Sequence, residues 1–183
     1  MSLPTTTAPA RKLLLGVTGG IAAYKACELA RLFVKAGWQV QVVLTAHAEA
    51  FVTPLTFQAL TGREVRGALF DAAHEAAMGH IELARWADAI VIAPATANTL
   101  AKLAAGLADD LLTTLCLATD KPVFVAPAMN RLMWSHPATR ANLATLQTRG
   151  VVSLGTGTGA QACGETGEGR LLEPALIFDA VTT

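Results

Sequence analysis

The chain has 183 residues, of which 52% are hydrophobic and 15% charged, and its 14 basic residues balance 14 acidic ones. This length predicts a single domain, and the balanced charge excludes the basic footprint that binding to nucleic acid requires. No stretch reaches the ~18 uninterrupted apolar residues of a membrane span, and the N-terminus lacks the order of a signal peptide. We therefore expect a cytoplasmic protein with neither nucleic acid nor membrane as a partner.

The small charged fraction predicts a homo-oligomer, in which other subunits cover part of the surface. A sheet buried on both faces would also raise the apolar fraction, so this alternative stays open. The three cysteines, Cys27, Cys116 and Cys163, are odd in number and widely spaced. They therefore suggest neither a disulfide framework nor a metal site, and a reducing compartment is expected.

Short apolar runs alternate with longer helical stretches, which is the pattern of a parallel α/β sheet. We predict a flavodoxin-like or Rossmann-like doubly wound sheet in one domain at 11–183, after a disordered arm at 1–10. The glycine-rich tract at about 155–170 is predicted to be a mobile loop over a site rather than a packed element. The other predicted elements are, in chain order, strand 12–17, helix 21–36 stopped by Gly37, strand 39–44, helix 49–61 stopped by Gly62, a short helix headed by His80, strand 89–93, helices 100–107 and 109–119, strand 122–126, helix 137–148 and strand 151–154.

Polar loops follow the predicted strands, and in open α/β sheets ligands bind beyond the carboxyl ends of the strands. After the first strand, Thr18, Gly19 and Gly20 precede a helix, where backbone amides and a hydroxyl suit a phosphate. The loop lacks the spacing of a dinucleotide fingerprint or a P-loop, and it can equally be a tight turn that binds nothing. Thr45, at the end of the second strand, is a second candidate donor.

The loop PATANT at 94–99 follows the third strand and offers Thr96, Asn98 and Thr99 as short polar side chains. These can hydrogen-bond a polar ring edge or a phosphate. Asn98 or Thr99 can equally cap the helix predicted from Leu100, and one residue can serve both purposes.

Three further residues are candidates for acid–base chemistry or substrate binding. His80 lies at a predicted helix N-terminus, which disfavours the protonated imidazole, so it can accept a proton, although a surface or capping histidine fits as well. Asn130, in PAMNRLMW at 127–134, can donate to a carboxylate without adding charge, or can simply belong to a turn. Cys163 lies in the glycine-rich tract, whereas Cys27 and Cys116 fall in apolar helices and are expected to be inert.

The loops PATANT and PAMNRLMW, together with AAMGHIELARWAD and ACGE, resemble the homo-oligomeric flavin-containing cysteine decarboxylases over about residues 12–174. ACGE points within that family to its coenzyme A branch. Leu171 departs from the resemblance, since methionine is expected there. Many bacterial members continue into a C-terminal synthetase, so this chain is expected to be either a stand-alone enzyme or a trimmed piece.

The resemblance implies an FMN-dependent carboxy-lyase that converts 4′-phosphopantothenoylcysteine to 4′-phosphopantetheine. The cysteinyl CH2–S unit is oxidised to a thioaldehyde, CO2 leaves to give an enethiolate, and FMN returns the electrons. The family assembles as trimers or as dodecamers built from trimers. The implied catalytic residues are His80 as base, Asn130 as carboxylate anchor and Cys163 as proton donor; the implied FMN contacts are Thr18, Gly19, Gly20, Thr45, Thr96, Ala97, Asn98, Thr99 and Ala128; and the implied substrate contacts are Asn130, Met133, Ala162, Cys163 and Gly164.

Other functions remain open alongside this one. A peptidyl-cysteine decarboxylase of the lantibiotic type would share the oxidative step without the later reduction, and ACGE disfavours it. A flavin prenyltransferase would need neither Asn130 nor Cys163, and a regulatory flavoprotein would usually carry long acidic extensions. A nicotinamide dehydrogenase fits poorly because GxGxxG is missing.

Overall fold

The computed structural model describes residues 10–69 and 78–183, so the arm predicted at 1–10 falls almost wholly outside the described residues. The main sheet has five parallel strands in the spatial order β2-β1-β3-β4-β5. This is the flavodoxin-like order, as predicted. The strands are β1 (Lys12–Val17), β2 (Gln39–Leu44), β3 (Ala89–Ala95), β4 (Val123–Pro127) and β5 (Val152–Ser153).

Helices cover both faces of this sheet. The predicted helix at 21–36 begins as a 3-10 turn, Ile21–Tyr24, and the segment before Pro54 contains a second one, Ala48–Ala50. Gly37 and Gly62 follow their helices in left-handed conformations, as the helix-stop predictions require. The helices are α1 (Lys25–Lys35), α2 (Pro54–Thr61), α3 (His80–Trp86), α4 (Ala97–Ala105), α5 (Leu111–Leu117), α6 (Arg131–Ser135), α7 (Pro137–Thr148) and α8 (Pro174–Thr182).

The continuous apolar runs of the strands reflect a sheet that is buried on both faces. Because successive side chains alternate, Leu13 and Leu15 enter a core that contains Phe33 of α1 and Ile177 of α8. Leu14, between them, enters a second core on the opposite face, with residues of α3, α4, α5 and α7. Burial of the sheet on both faces, which was the alternative explanation of the high apolar fraction, therefore accounts for the apolar strands.

The glycine-rich tract forms regular structure, contrary to the prediction that it is not a packed element. Strands β6 (Gly157–Ala160) and β7 (Thr166–Arg170) pair antiparallel as a hairpin. The prediction failed because these strands carry almost no apolar side chains, and their main-chain pairing leaves no trace in the composition. Whether the hairpin moves stays a prediction.

Candidate functional site

A cavity of about 880 Å³ opens at the carboxyl ends of β1 to β4, where the hairpin covers it. Its volume lies within the usual range for sites that bind small molecules and cofactors. Gly164 and His80 do not line it. The lining does include Thr18, Gly19, Gly20, Thr45, Thr96, Ala97, Asn98, Thr99, Ala128, Asn130, Met133, Ala162 and Cys163.

The Thr18 hydroxyl is engaged within the protein rather than free to meet a ligand. It donates to the carbonyl of Pro94 at 2.6 Å and accepts from the amide of Thr96 at 3.1 Å. Thr18 is 1% exposed, so both bonds are shielded from water. The Thr18 hydroxyl is therefore not an available donor, contrary to the prediction, because it joins the loop after β1 to the loop after β3.

Other donors at this end of the cavity are available. The amides of Gly19 and Gly20 precede the 3-10 turn, where the first amides of a helix have no partner within it. The Thr45 hydroxyl has only a 3.5 Å contact with the carbonyl of Val17, at the limit of a hydrogen bond. This end of the cavity can therefore hold an anion through neutral donors.

The PATANT loop starts its helix earlier than predicted. Thr96, rather than Asn98 or Thr99, caps α4, because its Oγ1 accepts from the amide of Thr99 at 3.3 Å. Thr99 is consequently buried in the first turn of the helix. Asn98 is exposed and lines the cavity, and its side chain makes no hydrogen bond within the described part of the chain, so its amide is available to a bound molecule.

Asn130 is held in one orientation by its own helix. Its Oδ1 caps α6 by accepting from the amide of Leu132 at 2.8 Å. Its Nδ2 is therefore directed at the hairpin, where it lies 2.7 Å from Oε2 of Glu165 and 3.5 Å from the Cys163 sulfur. A fixed amide donor beside a thiol is suited to binding a carboxylate.

Glu165 uses both of its carboxylate oxygens in this contact. Oε2 accepts from Asn130, and Oε1 accepts from Nη2 of Arg131 at 3.1 Å. The hydrogen bonds from Asn130 and then from Arg131 hold the pKa of this carboxyl below its usual value. Sγ of Cys163 also lies 3.7 Å from Oε2. Asn130, Cys163 and Glu165 therefore form one polar cluster.

The hairpin is docked on the PAMN turn by one main-chain bond and by the side chain of Gln161. The amide of Met129 donates to the carbonyl of Gly169 at 2.8 Å, and Nε2 of Gln161 donates to the carbonyl of Met129 at 3.3 Å. Oε1 of Gln161 in turn accepts from the amide of Arg131 at 3.1 Å. At Gly169, with φ of +115°, an added Cβ would lie 2.5 Å from the Met129 carbonyl oxygen, so this close approach requires glycine.

The three cysteines differ as the sequence predicts. Burial raises the pKa of Cys116 to about 12 and also raises the pKa of Cys27, so both thiols stay protonated near neutral pH. Cys163 is exposed at the cavity, and none of the three forms a disulfide. Only Cys163 is therefore placed to react with a bound molecule.

Two charged groups of side chains also border the cavity. Lys102 pairs with Asp109 at 2.8 Å and with Asp110 at 3.0 Å. On another side, Nζ of Lys25 lies 2.8 Å from Oε1 of Glu173, and Nη2 of Arg170 lies 3.9 Å from the same oxygen. The cavity therefore presents cations, each of them next to a carboxylate.

A single chain does not bring His80 to the cavity. His80 is half-buried at the start of α3, and this helix ends near Asp88, whose Oδ2 accepts from the amide of Lys12 at the amino end of β1. The short helix headed by His80 is confirmed, but residues 70–77 just before it lie outside the described part. Its role as a base stays a prediction.

The sequence reasoning overlooked Glu165, Gln161 and Arg131 as parts of the site. Each is adjacent to or near a predicted residue, but their contacts link positions 30 to 35 apart in the chain. The sequence does carry a signal for two of these residues, because each is a polar residue close to a predicted site residue: Arg131 follows Asn130, and Glu165 ends ACGE.

Over residues 10–69 and 78–183, no group of histidine, cysteine, aspartate and glutamate side chains could hold a metal ion. Within the same residues, no helix has the length and apolar character to cross a membrane.

Comparison with known proteins places the chain in a family. The Flavoprotein family model matches residues 1–183. The coenzyme A biosynthesis bifunctional protein CoaBC of Haemophilus influenzae is 55% identical over 172 residues, which are 94% of this chain and 43% of that protein. CoaBC of Escherichia coli is 52% identical over 169 residues, 92% of this chain and 42% of that protein. The chain thus spans less than half the length of these curated relatives.

Solved structures give similar matches over whole chains. A PPC decarboxylase mutant complexed with pantothenoylaminoethenethiol has a TM-score of 0.83 and 37% identity, covering 95% of this chain and 97% of that one. The FMN binding protein AtHal3 has a TM-score of 0.80 and 38% identity, covering 95% and 96%. The FMN-dependent cysteine decarboxylase SpaF has a TM-score of 0.73 and 35% identity, covering 93% and 97%. The chain belongs to the Flavoprotein family.

Proposed function

We propose that this member of the Flavoprotein family is an FMN-dependent carboxy-lyase that decarboxylates 4′-phosphopantothenoylcysteine to 4′-phosphopantetheine in coenzyme A biosynthesis. The observation that carries the proposal is the shared cavity, where the Asn130 amide and the Cys163 thiol lie 3.5 Å apart beside loops rich in neutral donors. The likeness to CoaBC and to a PPC decarboxylase supports the same substrate. A cytoplasmic location agrees with this biosynthetic role.

The residues present fit FMN. The amides of Gly19 and Gly20 and the Thr45 hydroxyl are neutral donors suited to its phosphate, and the open Asn98 amide suits a polar ring edge. Thr18 and Thr96 would act by holding these loops together, and Ala97, Thr99 and Ala128 by lining the cavity. Bound there, FMN supplies a two-electron acceptor and donor that no side chain of the chain can replace.

The chain's own residues would position the substrate and handle protons. Asn130 would hold the substrate carboxylate through a neutral donor, which stabilises the carboxylate less than a cation would and therefore opposes the loss of CO2 less. The carbon that loses CO2 would then lie within reach of the Cys163 thiol, which donates a proton to it in the later reduction. Met133 and Ala162 would enclose the substrate from the α6 side and from the hairpin tip, and Gly164, which does not line the cavity of the single chain, would shape that tip.

His80 would complete the site from another copy of the chain. It does not line the cavity of its own chain, so a base at this position requires a neighbouring subunit. Ile21, Tyr24 and Ile81 are large apolar side chains that stay exposed on one chain and would be covered in an assembly. We propose a homo-oligomer, either a trimer or a dodecamer built from trimers.

The test is anaerobic incubation of the FMN-loaded protein with 4′-phosphopantothenoylcysteine, followed by mass spectrometry of the products. Phosphopantetheine with its thiol intact and one CO2 lost is the expected result. An accumulating enethiol would shift the assignment to a peptidyl-cysteine decarboxylase. Unchanged turnover in His80→Asn and Asn130→Asp would contradict the proposed roles, and absence of reaction with FMN bound would favour a regulatory flavoprotein.

A further inference from the structure

The donor that would hold the substrate carboxylate already holds a carboxylate of the protein. Nδ2 of Asn130 lies 2.7 Å from Oε2 of Glu165, a shorter distance than any other that this amide makes in the described structure. The amide cannot rotate away from this partner, because its Oδ1 is fixed by the Leu132 amide at 2.8 Å. Glu165 is thus bound as an incoming carboxylate would be bound.

We propose that Glu165 is an internal stand-in for the substrate carboxylate, which competes with the acid for Asn130 and lowers the affinity of the site for the acid but not for its decarboxylated product. The inference rests on the proposed function, in which Asn130 anchors the substrate. A ligand with a carboxylate replaces Glu165 on Nδ2, so one charge-assisted hydrogen bond is exchanged for another. A ligand without a carboxylate offers nothing to exchange, and Glu165 stays on the amide.

The surroundings of Glu165 allow the exchange. Arg131 holds the other oxygen, Oε1, at 3.1 Å through a half-exposed side chain, so the displaced carboxylate keeps a cationic partner. Glu165 lies at the tip of the hairpin, between β6 and β7, where the side chain can turn without breaking the strand pairing. The displaced Glu165 carboxylate therefore keeps an ionic partner.

The partner of the Asn130 amide would change during turnover. Before binding, Glu165 keeps the Asn130 amide paired, so the acid must displace this carboxylate to reach Nδ2. After CO2 leaves, the product no longer competes for Nδ2, and the carboxylate of Glu165 returns to it. Through its bond to Asn130, Glu165 thus weakens binding of the acid and leaves binding of the product unchanged.

The test compares two ligands on wild type and on Glu165→Gln, which keeps the side-chain shape and removes the charge. The ligands are 4′-phosphopantothenoylserine, which keeps the carboxylate but lacks the oxidisable thiol, and 4′-phosphopantetheine, which lacks the carboxylate. Without the competing charge, the variant should bind the serine analogue about threefold tighter. Its affinity for phosphopantetheine should be unchanged.

Glu168→Gln is the matched control, because Glu168 is a second glutamate of the hairpin that bonds Nε1 of Trp134 at 3.1 Å instead of Asn130. It should leave both dissociation constants at their wild-type values. An equal or weaker affinity of Glu165→Gln for the serine analogue would overturn the proposal, as would the same tightening in Glu168→Gln.

A second readout separates this inference from the proposed function, whose failure would appear as no turnover of 4′-phosphopantothenoylcysteine by wild type. Sodium propionate is titrated while the side-chain amide resonances of Asn130 are followed by NMR. Propionate should shift them at lower concentration in Glu165→Gln than in wild type, whatever the natural substrate is. Identical titration midpoints in the two proteins would overturn the stand-in role.

Discussion

The Thr18 side chain donates a 2.6 Å hydrogen bond to the main-chain carbonyl of Pro94, which is 76 positions away in the sequence. The hydroxyl lies between β1 and β3, and it also accepts from the amide of Thr96. Because parallel neighbours are far apart in the chain, a loop-to-loop bond of this kind fixes the spacing of two cavity walls. The edge of the sheet that forms the cavity is thereby held before any ligand binds.

Removal of this hydroxyl should be costly. Thr18→Val keeps the shape of the side chain but leaves the buried Pro94 carbonyl and Thr96 amide without partners, so the free energy of unfolding should fall by about 1–3 kcal/mol. Thr18→Ser, which retains the hydroxyl, should lose much less. Urea unfolding of the three proteins measures the difference, and equal midpoints would show that the bond contributes nothing.

Thiol modification should be selective for one cysteine. The raised pKa values and burial of Cys27 and Cys116 leave Cys163 as the exposed thiol of the folded chain. Iodoacetamide at pH 8 should therefore alkylate the peptide that contains Cys163 first, as read by mass mapping. Unfolding in urea serves as the control, in which all three should react. Labelling of Cys116 at a similar rate in the folded protein would contradict the structure.

Asp110 should contribute a pH-dependent part of the stability. Burial raises the pKa of Asp110, but hydrogen bonds from the Thr113 amide and from Lys102 lower it by a larger amount. The pKa in the folded protein therefore lies below the usual one. Its contribution is thus fully present above the unfolded value of about 3.9 and is lost as pH falls through the lower folded value.

Asp110→Asn should keep the helix cap and remove this pH dependence, so the free energy of unfolding should fall less between pH 5 and pH 3 than in wild type. Asp110→Ala should also lose the cap of α5, which costs about 0.5–2 kcal/mol at pH 7. Asp179→Asn, at an exposed position of α8, should keep the wild-type slope. Denaturant melts across this range of pH measure all four proteins, and a wild-type slope in Asp110→Asn would refute the assignment.

Gly169→Ala should loosen the hairpin. The new Cβ meets the Met129 carbonyl and sits on a left-handed backbone, so both the close approach and the conformation are disfavoured. We expect faster proteolysis within the hairpin than in wild type. Gly150→Ala is the control, because Gly150 also has a positive φ, of +89°, but faces open space. Equal cleavage in the two variants would show that backbone strain, rather than the contact with Met129, is responsible.

The origin of the base can be tested by mixing inactive variants. If His80 acts on the cavity of a neighbouring chain, co-expressed His80→Asn and Asn130→Asp chains should form some sites with both residues intact and recover part of the turnover. Oligomers that contain only His80→Asn chains should recover no turnover. Failure of the mixed oligomers to regain activity would place His80 and Asn130 in the same chain's site or remove His80 from catalysis.

The sequence predicted the elements whose apolar runs are unambiguous. The first two strands, 12–17 and 39–44, have the predicted bounds because buried parallel strands are continuously apolar. The hairpin was not predicted, since strands such as TGEGR and GTGA owe their order to main-chain bonds. Nor was α8 predicted, although its apolar residues Ile177 and Val181 are one helical turn apart.

The candidate site was predicted at the level of loops but not of contacts. That PATANT and PAMN border one cavity follows from the parallel sheet, because the carboxyl ends of its strands share an edge. The pairing of Asn130 with Glu165, or of Thr18 with Pro94, depends on the distance between loops that no local pattern encodes. His80 was predicted from its place at a helix N-terminus and from the resemblance, and it does not line the cavity of the single chain.

Both ends of the hairpin are anchored in the body of the protein. Ahead of it, the amide of Leu154 donates to the carbonyl of Val125, and behind it Leu171 is buried in the core beside α1 and α8. The tip that carries Cys163 and Glu165 therefore stands at a height above the sheet that is set by the length of two short strands. One residue pair added to or deleted from β6 and β7 would therefore change which atom of a bound molecule the Cys163 thiol contacts.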